Sequence, residues 1–200
     1  MTRSSSVLLS RRNALLAGGL VLAGWALPRH ARTAGDAADS VTVVCAQSDT
    51  LGTDVGFEPT GLYVEPGTKV RWVVQSNVHT VTAYHPRNGN HSLRIPSAAE
   101  PFDSGFLVNP GSVFERRFTV EGVYDYFCLP HEAAGMVGRI VVGRPGGPGL
   151  LPFDYFENLP QARQWLPVPA AAQAAFPPVD EILRDRIVHR RPGLGHCGHA

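Results

Sequence analysis

The sequence predicts an all-β sandwich, and three observations carry that expectation. Between residues 41 and 143, short runs rich in Val, Ile, Thr and aromatic residues recur. Turn signals separate them at Glu65-Pro66-Gly67, Asn109-Pro110-Gly111 and Glu121-Gly122. No part of this span places apolar residues at helical spacing. Such patterning indicates an antiparallel sandwich or barrel.

Taken in order, the first 38 residues lie outside that pattern. Arg11 and Arg12 precede an apolar run over residues 14–27. Crossing a bilayer takes roughly 20 apolar residues, so this run is short for a span. It suits an export signal of twin-arginine type over residues 1–38, cut between Ala31 and Asp39. A retained anchor is the competing reading. The whole chain carries a net +1, but from Asp39 onward 16 acidic residues face 13 basic ones, a net of −3. With no local basic run either, nothing points to nucleic acid. Hydrophobic residues make up 44%, enough for a buried core.

The strands follow. VTVVCAQ at 41–47 is β-branched and apolar. KVRWVVQ at 69–75 and HTVTAY at 79–84 are joined by a turn at 76–78. SVFERRFTV at 112–120 alternates, which puts Val113, Phe114, Phe118 and Val120 among the expected core residues. In GVYDYFC at 122–128 the period of two places Tyr124, Tyr126 and Cys128 on one face. VGRIVVG at 137–143 closes the set.

Beyond Val142 the composition changes. Nine of the 17 prolines lie from Pro145 onward, and GRPGGPGLLPF at 143–153 reads as a breaker-rich linker. Two short helices are expected, at 160–166 and 179–189, the second with an apolar stripe of Ile182, Leu183 and Ile187. This extension, 144–200, is too short to bury a core of its own. It is expected to pack on the sandwich, because Phe153, Tyr155, Phe156 and Trp165 would otherwise be exposed.

Chemistry concentrates in YFCLPHEAAGMVG at 126–138, where Cys128, His131 and Met136 share one loop, spaced C-x2-H-x4-M. Thiolate, imidazole and thioether together suit copper, and His2Cys with a weak axial Met is an electron-transfer arrangement. A second imidazole is well placed at His79, at the start of a strand upstream. Each residue also has an ordinary reading: a buried small cysteine, a structural histidine, a core methionine. Two facts weigh toward the metal. Met136 is the single methionine besides Met1. In an exported protein an unpaired cysteine also needs an explanation, and Cys45, Cys128 and Cys197 are an odd number.

VYDYFCLPHEAAGMVGRIVV at 123–142 resembles the ligand loop and last strand of the plastocyanins, pseudoazurins, amicyanins and halocyanins. GFEPTGLYVEPGTKVRWVVQSNVHTV at 56–81 resembles their earlier strands, ending in the first histidine ligand. The resemblance covers residues 41–142 and implies the cupredoxin fold, a Greek-key β-sandwich, here at 39–143 with a Pro-rich, partly helical C-terminal extension. It implies one copper ion held by His79, Cys128 and His131, with Met136 as weak axial ligand. It also implies that the ring edge of His131 is the electron port, within an apolar rim of Leu129, Pro130, Ala133 and Ala134. Many relatives carry an asparagine after the first histidine that locks the ligand loops. Here that residue is Thr80, which puts the link in doubt.

The expected function is therefore an exported carrier of single electrons, periplasmic or outside the cell. It is expected to be a monomer that docks transiently with redox proteins near His131 and meets membranes only indirectly. No Gly-rich phosphate loop and no G-x-S-x-G elbow is present, so no enzyme activity is expected. A copper-delivery protein using the C-terminal His196, Cys197 and His199 is the alternative. A Cys45–Cys197 disulfide is another use of that tail. His85 and His91, six residues apart, read as solvated loop histidines rather than a second metal site.

Overall fold

A computed structural model describes residues 41–48 and 54–190. The expected export signal, the side chain of Cys45, and His196, Cys197 and His199 lie outside the described residues. Among those described, no helix is long and apolar enough to cross a membrane.

Two sheets pack face to face. The first contains β1 (Val41–Ser48), β2 (Val55–Glu58), β4 (Lys69–Val74) and β6 (Val113–Arg117), in the order β2-β1-β4-β6. The second contains β3 (Gly61–Val64), β5 (Thr82–Ala83), β7 (Gly122–Phe127), β8 (Val137–Val142) and β9 (Ile187–Val188), in the order β5-β7-β8-β3-β9. The core between them is aromatic. Trp72 meets Tyr126 edge-on at 5.4 Å and lies near Phe102, Phe114 and Phe118. Phe57 also packs on Tyr126, at 4.8 Å.

The sandwich is not wholly antiparallel. β1 runs parallel to β4, and β3 runs parallel to β8. Each parallel pair joins strands between which the chain has left the sheet and returned, as parallel pairing requires. Period-two patterning is the same in either direction, so the sequence reading could not separate them. Val113 is a second correction: it is 48% exposed, while Phe118 is buried and Phe114 partly so. The inward residues of β6 are the even-numbered ones, and Val113 sits on the solvent side.

The extension forms a third layer on the outer face of the second sheet. Helix α1 (Ala170–Ala175) and helix α2 (Val179–Asp185) lie there. Val168, Ala172 and Phe176 pack with Tyr84, Phe127 and Val137. Ile182 and Val188 pack with Val123 and Val141. The aromatics that drive this are only partly those expected: Phe153 stacks on Phe176, but Tyr155 stays 51% exposed.

The expected helices are shorter than the patterning indicates. Only a 3-10 turn, Pro160–Ala162, forms in the first. Leu166 instead pairs with the loop at His91, its N–H donating to the Asn90 carbonyl at 2.7 Å. Pro167 follows it and favours extended backbone there. In the second, Arg186 adopts φ 67° and ends the helix. Ile187 and Val188 then become β9, antiparallel to β3, covering what would be a sheet edge. Ile187 is 47% exposed and does not join the stripe with Ile182. Helix α1 was not anticipated, although AAAQAA is rich in the strongest helix former.

Burying the outer face of β7 buries Asp125. Its carboxylate accepts from Arg94 Nε at 2.7 Å, and from Arg139 Nε at 2.7 Å and Nη2 at 3.0 Å. Each arginine also donates to the extension: Arg94 to the Gly149 carbonyl at 2.8 Å, Arg139 to the Pro177 carbonyl at 2.9 Å. Phe153 and Phe176 lie against the two guanidinium groups. One carboxylate thus clamps two arginines that reach into the third layer.

Candidate metal centre

The loop after β7 is built to turn back on itself. Cys128 ends the strand, and Pro130 lacks the N–H needed to continue a ladder. A 3-10 turn, Leu129–Ala134, follows, with the His131 N–H donating to the Cys128 carbonyl at 3.0 Å. Gly135 sits at φ 83°, a conformation that favours glycine, and a Cβ there would meet the Ala171 carbonyl oxygen at 3.2 Å. The return is sealed by Met136, whose N–H donates to the His131 carbonyl at 3.1 Å and whose carbonyl accepts from Cys128 N–H at 3.0 Å. The Met136 side chain is fully buried in the same apolar cluster as Cys128.

His79 arrives from another part of the chain. Its backbone bridges Leu107, with hydrogen bonds of 3.2 and 2.8 Å. Nε2 lies 2.8 Å from the Ser76 carbonyl. A carbonyl only accepts, so this contact places the proton of the neutral ring on Nε2 and leaves the Nδ1 lone pair free. Nδ1 lies 3.6 Å from Cys128 Sγ, and His131 Nδ1 lies 3.4 Å from the same sulfur. The three donor atoms fall within 4.8 Å of one another. Among the described residues this is the one such group of three.

Electrostatics favour neutral donors at both rings. Burial, then the neighbouring His131, lowers His79 to about 4, and burial lowers His131 as well. Burial raises the Cys128 thiol to about 11. A bound metal ion deprotonates a coordinating thiol outright, so a cation beside this sulfur would offset the penalty of burial. The two sulfur–nitrogen spacings fit one ion: bonds of roughly 2.0 Å to imidazole and 2.3 Å to thiolate place a trigonal nitrogen and sulfur about 3.7 Å apart. Two imidazoles and a thiolate, with a thioether neighbour and no carboxylate, suit copper.

With Thr80 after the first histidine, the sequence leaves the link between the ligand segments in doubt. Thr80 Oγ1 accepts from the Leu129 N–H at 2.8 Å, and the Thr80 N–H points at Cys128 Sγ from 3.4 Å. A hydroxyl makes the link.

His85 and His91 are not brought to the site. His85 Nδ1 accepts from the Arg87 N–H at 3.0 Å. His91 is buried rather than solvated, because residues 90–92 pair with Leu166 of the extension. Its ring lies on Phe127 at 4.5 Å, with Nδ1 3.7 Å from Glu132 Oε1. That carboxylate accepts from the Tyr84 hydroxyl at 2.8 Å, so Tyr84 braces the turn beside His131. The sequence carried no sign of this brace, since Tyr84 and Glu132 lie 48 residues apart.

The chain is similar to several known proteins. Residues 43–143 match the family described as copper binding proteins, plastocyanin/azurin family. The chloroplastic plastocyanin of Tetradesmus obliquus is 32% identical over 132 residues, spanning 61% of this chain and 86% of the relative. Halocyanin of Natronomonas pharaonis is 32% identical over 88 residues, spanning 43% of this chain and 47% of the relative. The pseudoazurin of Methylobacterium extorquens AM1 aligns over 73% of this chain and 98% of its own, at 20% identity and a TM-score of 0.47. The chain belongs to the plastocyanin/azurin family of copper-binding proteins, whose members hold one copper ion.

Proposed function

We propose that the protein carries single electrons between redox proteins through a copper ion that His79, Cys128 and His131 would hold, with Met136 as a weaker fourth ligand. The observation that carries this reading is the buried His79–Cys128–His131 cluster, with both Nδ1 atoms near one sulfur. Copper in such a donor set supplies one-electron chemistry between its cupric and cuprous states.

The chain's part is to keep the donors still. His79 is fixed at Nε2 by Ser76 and at its backbone by Leu107. Cys128 and His131 are fixed by the closed 128–136 loop, and Thr80 ties the two segments together. His79, Cys128 and Met136 are wholly shielded from water, so little solvent reorders when the charge of the site changes. His131 is the partly exposed ligand, and Leu129, at 50% exposure, with Pro130, Ala133 and Ala134 forms an exposed apolar rim. This end suits brief docking that buries under ~1,200 Å². Under this reading the protein is a monomer and not an enzyme. It divides into an export signal at 1–38, a copper domain at 39–143 and an extension at 144–200, and it works in the periplasm or outside the cell.

The test is to add one equivalent of Cu(II) to residues 39–200 and record the visible spectrum. An intense thiolate-to-copper band is expected. A colourless protein, or colour that survives Cys128→Ser, would sink the assignment.

A further inference from the structure

The geometry points to a one-way hydroxyl relay, Leu129 to Thr80 to Thr82 to Asp103, as a positioning element for the metal loop, anchored on a surface carboxylate. It rests on the copper reading above. Thr82 Oγ1 donates to Asp103 Oδ1 at 3.0 Å. A hydroxyl carries one proton, so toward Thr80 Oγ1, 2.9 Å away, Thr82 can only accept. Thr80 must then donate to Thr82, and its oxygen is left to accept the Leu129 N–H at 2.8 Å. All three links therefore point the same way, and each polarises the next. Both threonines are buried, whereas Asp103 is exposed.

The relay joins three segments far apart in sequence. Thr80 and Thr82 follow His79. Leu129 sits between Cys128 and His131. Asp103 belongs to the stretch that pairs antiparallel with 79–83, bridging Thr82, and its Oδ1 also accepts from the Gly105 N–H at 3.1 Å. Fixing the Thr80 hydroxyl fixes its backbone, whose N–H is aimed at Cys128 Sγ. Hydrogen bonding around the cysteine sulfur tunes the potential of such a copper site. Asp103 thus acts at a distance: it sets which way Thr80 faces, and Thr80 holds the sulfur and the loop. Thr82 and Asp103 are positioning residues whose side chains bond to Thr80 and to each other rather than to a metal ligand.

Thr82→Val removes the middle hydroxyl and keeps the volume, and Thr82→Ser restores it. In the copper-free protein, exchange of the Leu129 amide with D2O should accelerate about fivefold to tenfold in Thr82→Val, as losing one net hydrogen bond predicts. Thr82→Ser should keep the wild-type rate. Asp103→Ala, at an exposed position, should accelerate exchange in the same direction even if Thr82→Val folds poorly. In the copper-loaded protein Thr82→Val should lower the reduction potential, because a weakened N–H contact lets the sulfur donate more to the cupric state. Wild-type exchange at Leu129 in both Thr82→Val and Asp103→Ala would overturn the relay, as would a Thr82→Ser variant that moves as far as Thr82→Val. A wild-type protein without the thiolate band would instead overturn the copper reading, while the exchange measurement still judges the relay.

Discussion

The two outer faces of the sandwich are built on opposite terms. On the first sheet, Lys69 and Arg71 from β4 meet Glu115 of β6 at 3.2 and 2.6 Å, in the open. On the second sheet, Arg94 and Arg139 meet Asp125 at the same kind of distance, but under a third layer. The geometry is alike, two cations on one carboxylate, and the environment is not. In water the first cluster is screened and contributes little. Inside, removing the carboxylate would strand two guanidinium groups that also hold the extension by its carbonyls. Burial decides what an ion pair is worth, and the extension decides the burial.

The largest effect should come from Asp125→Ala. Breaking the buried cluster is expected to destabilise the fold by about 3–5 kcal/mol, read as a lowered urea midpoint. Replacing all three residues together, Arg94→Met, Asp125→Leu and Arg139→Met, sharpens the point: three changes should cost less than the one. If the triple variant is the worse of the two, the clamp is a net stabiliser.

Next in size is Ile182→Ala. Ile182 is fully buried against Val123, Val141 and Val188, and its loss should cost about 3 kcal/mol. Proteolysis of the extension should rise with it, and an unchanged digestion pattern would argue that the third layer does not depend on this contact. Tyr84→Phe is smaller. It leaves the part-buried Glu132 carboxylate without its hydroxyl donor, a loss of about 1–2 kcal/mol visible in a thermal melt of the copper-free protein.

The smallest effect belongs to the exposed cluster. Hydrogen bonds first from Arg71 and then from Lys69 hold Glu115 below the usual carboxylate range. A carboxyl depressed in the folded state contributes above its unfolded pKa and loses that contribution as pH falls through the folded value. Glu115→Ala should therefore shift the melt only slightly at neutral pH. The shift should fade as pH falls through the depressed folded-state value of Glu115, and in high salt. A shift as large as that of Asp125→Ala would erase the contrast between the faces.

Much of the candidate site was legible because it is local. The C-x2-H-x4-M spacing, Pro130 and Gly135 lie within one loop, and each has a direct backbone consequence there. The sequence leaves the Thr80 link in doubt because its acceptor oxygen matters only once Leu129 arrives beside it from 49 residues away. Asp125 alternates with the inward Tyr124 and Tyr126, so on a bare sandwich it would face solvent; only the extension buries it. His91 looked solvated for the same reason, since its cover is Leu166, 75 residues on.

Strands β2, β3 and β9 escape local patterning, but it carries β1, β4, β5, β6, β7 and β8, the turns, the returning ligand loop and the donor types for copper. These depend on backbone geometry and side-chain chemistry over about ten residues, and period-two patterning reads them directly. Tertiary structure alone decided that two pairings are parallel, that β9 closes the β3 edge, and that the extension buries Asp125. Those outcomes depend on which apolar faces and sheet edges remain to be covered once the sandwich has formed, and no local window of sequence contains that information.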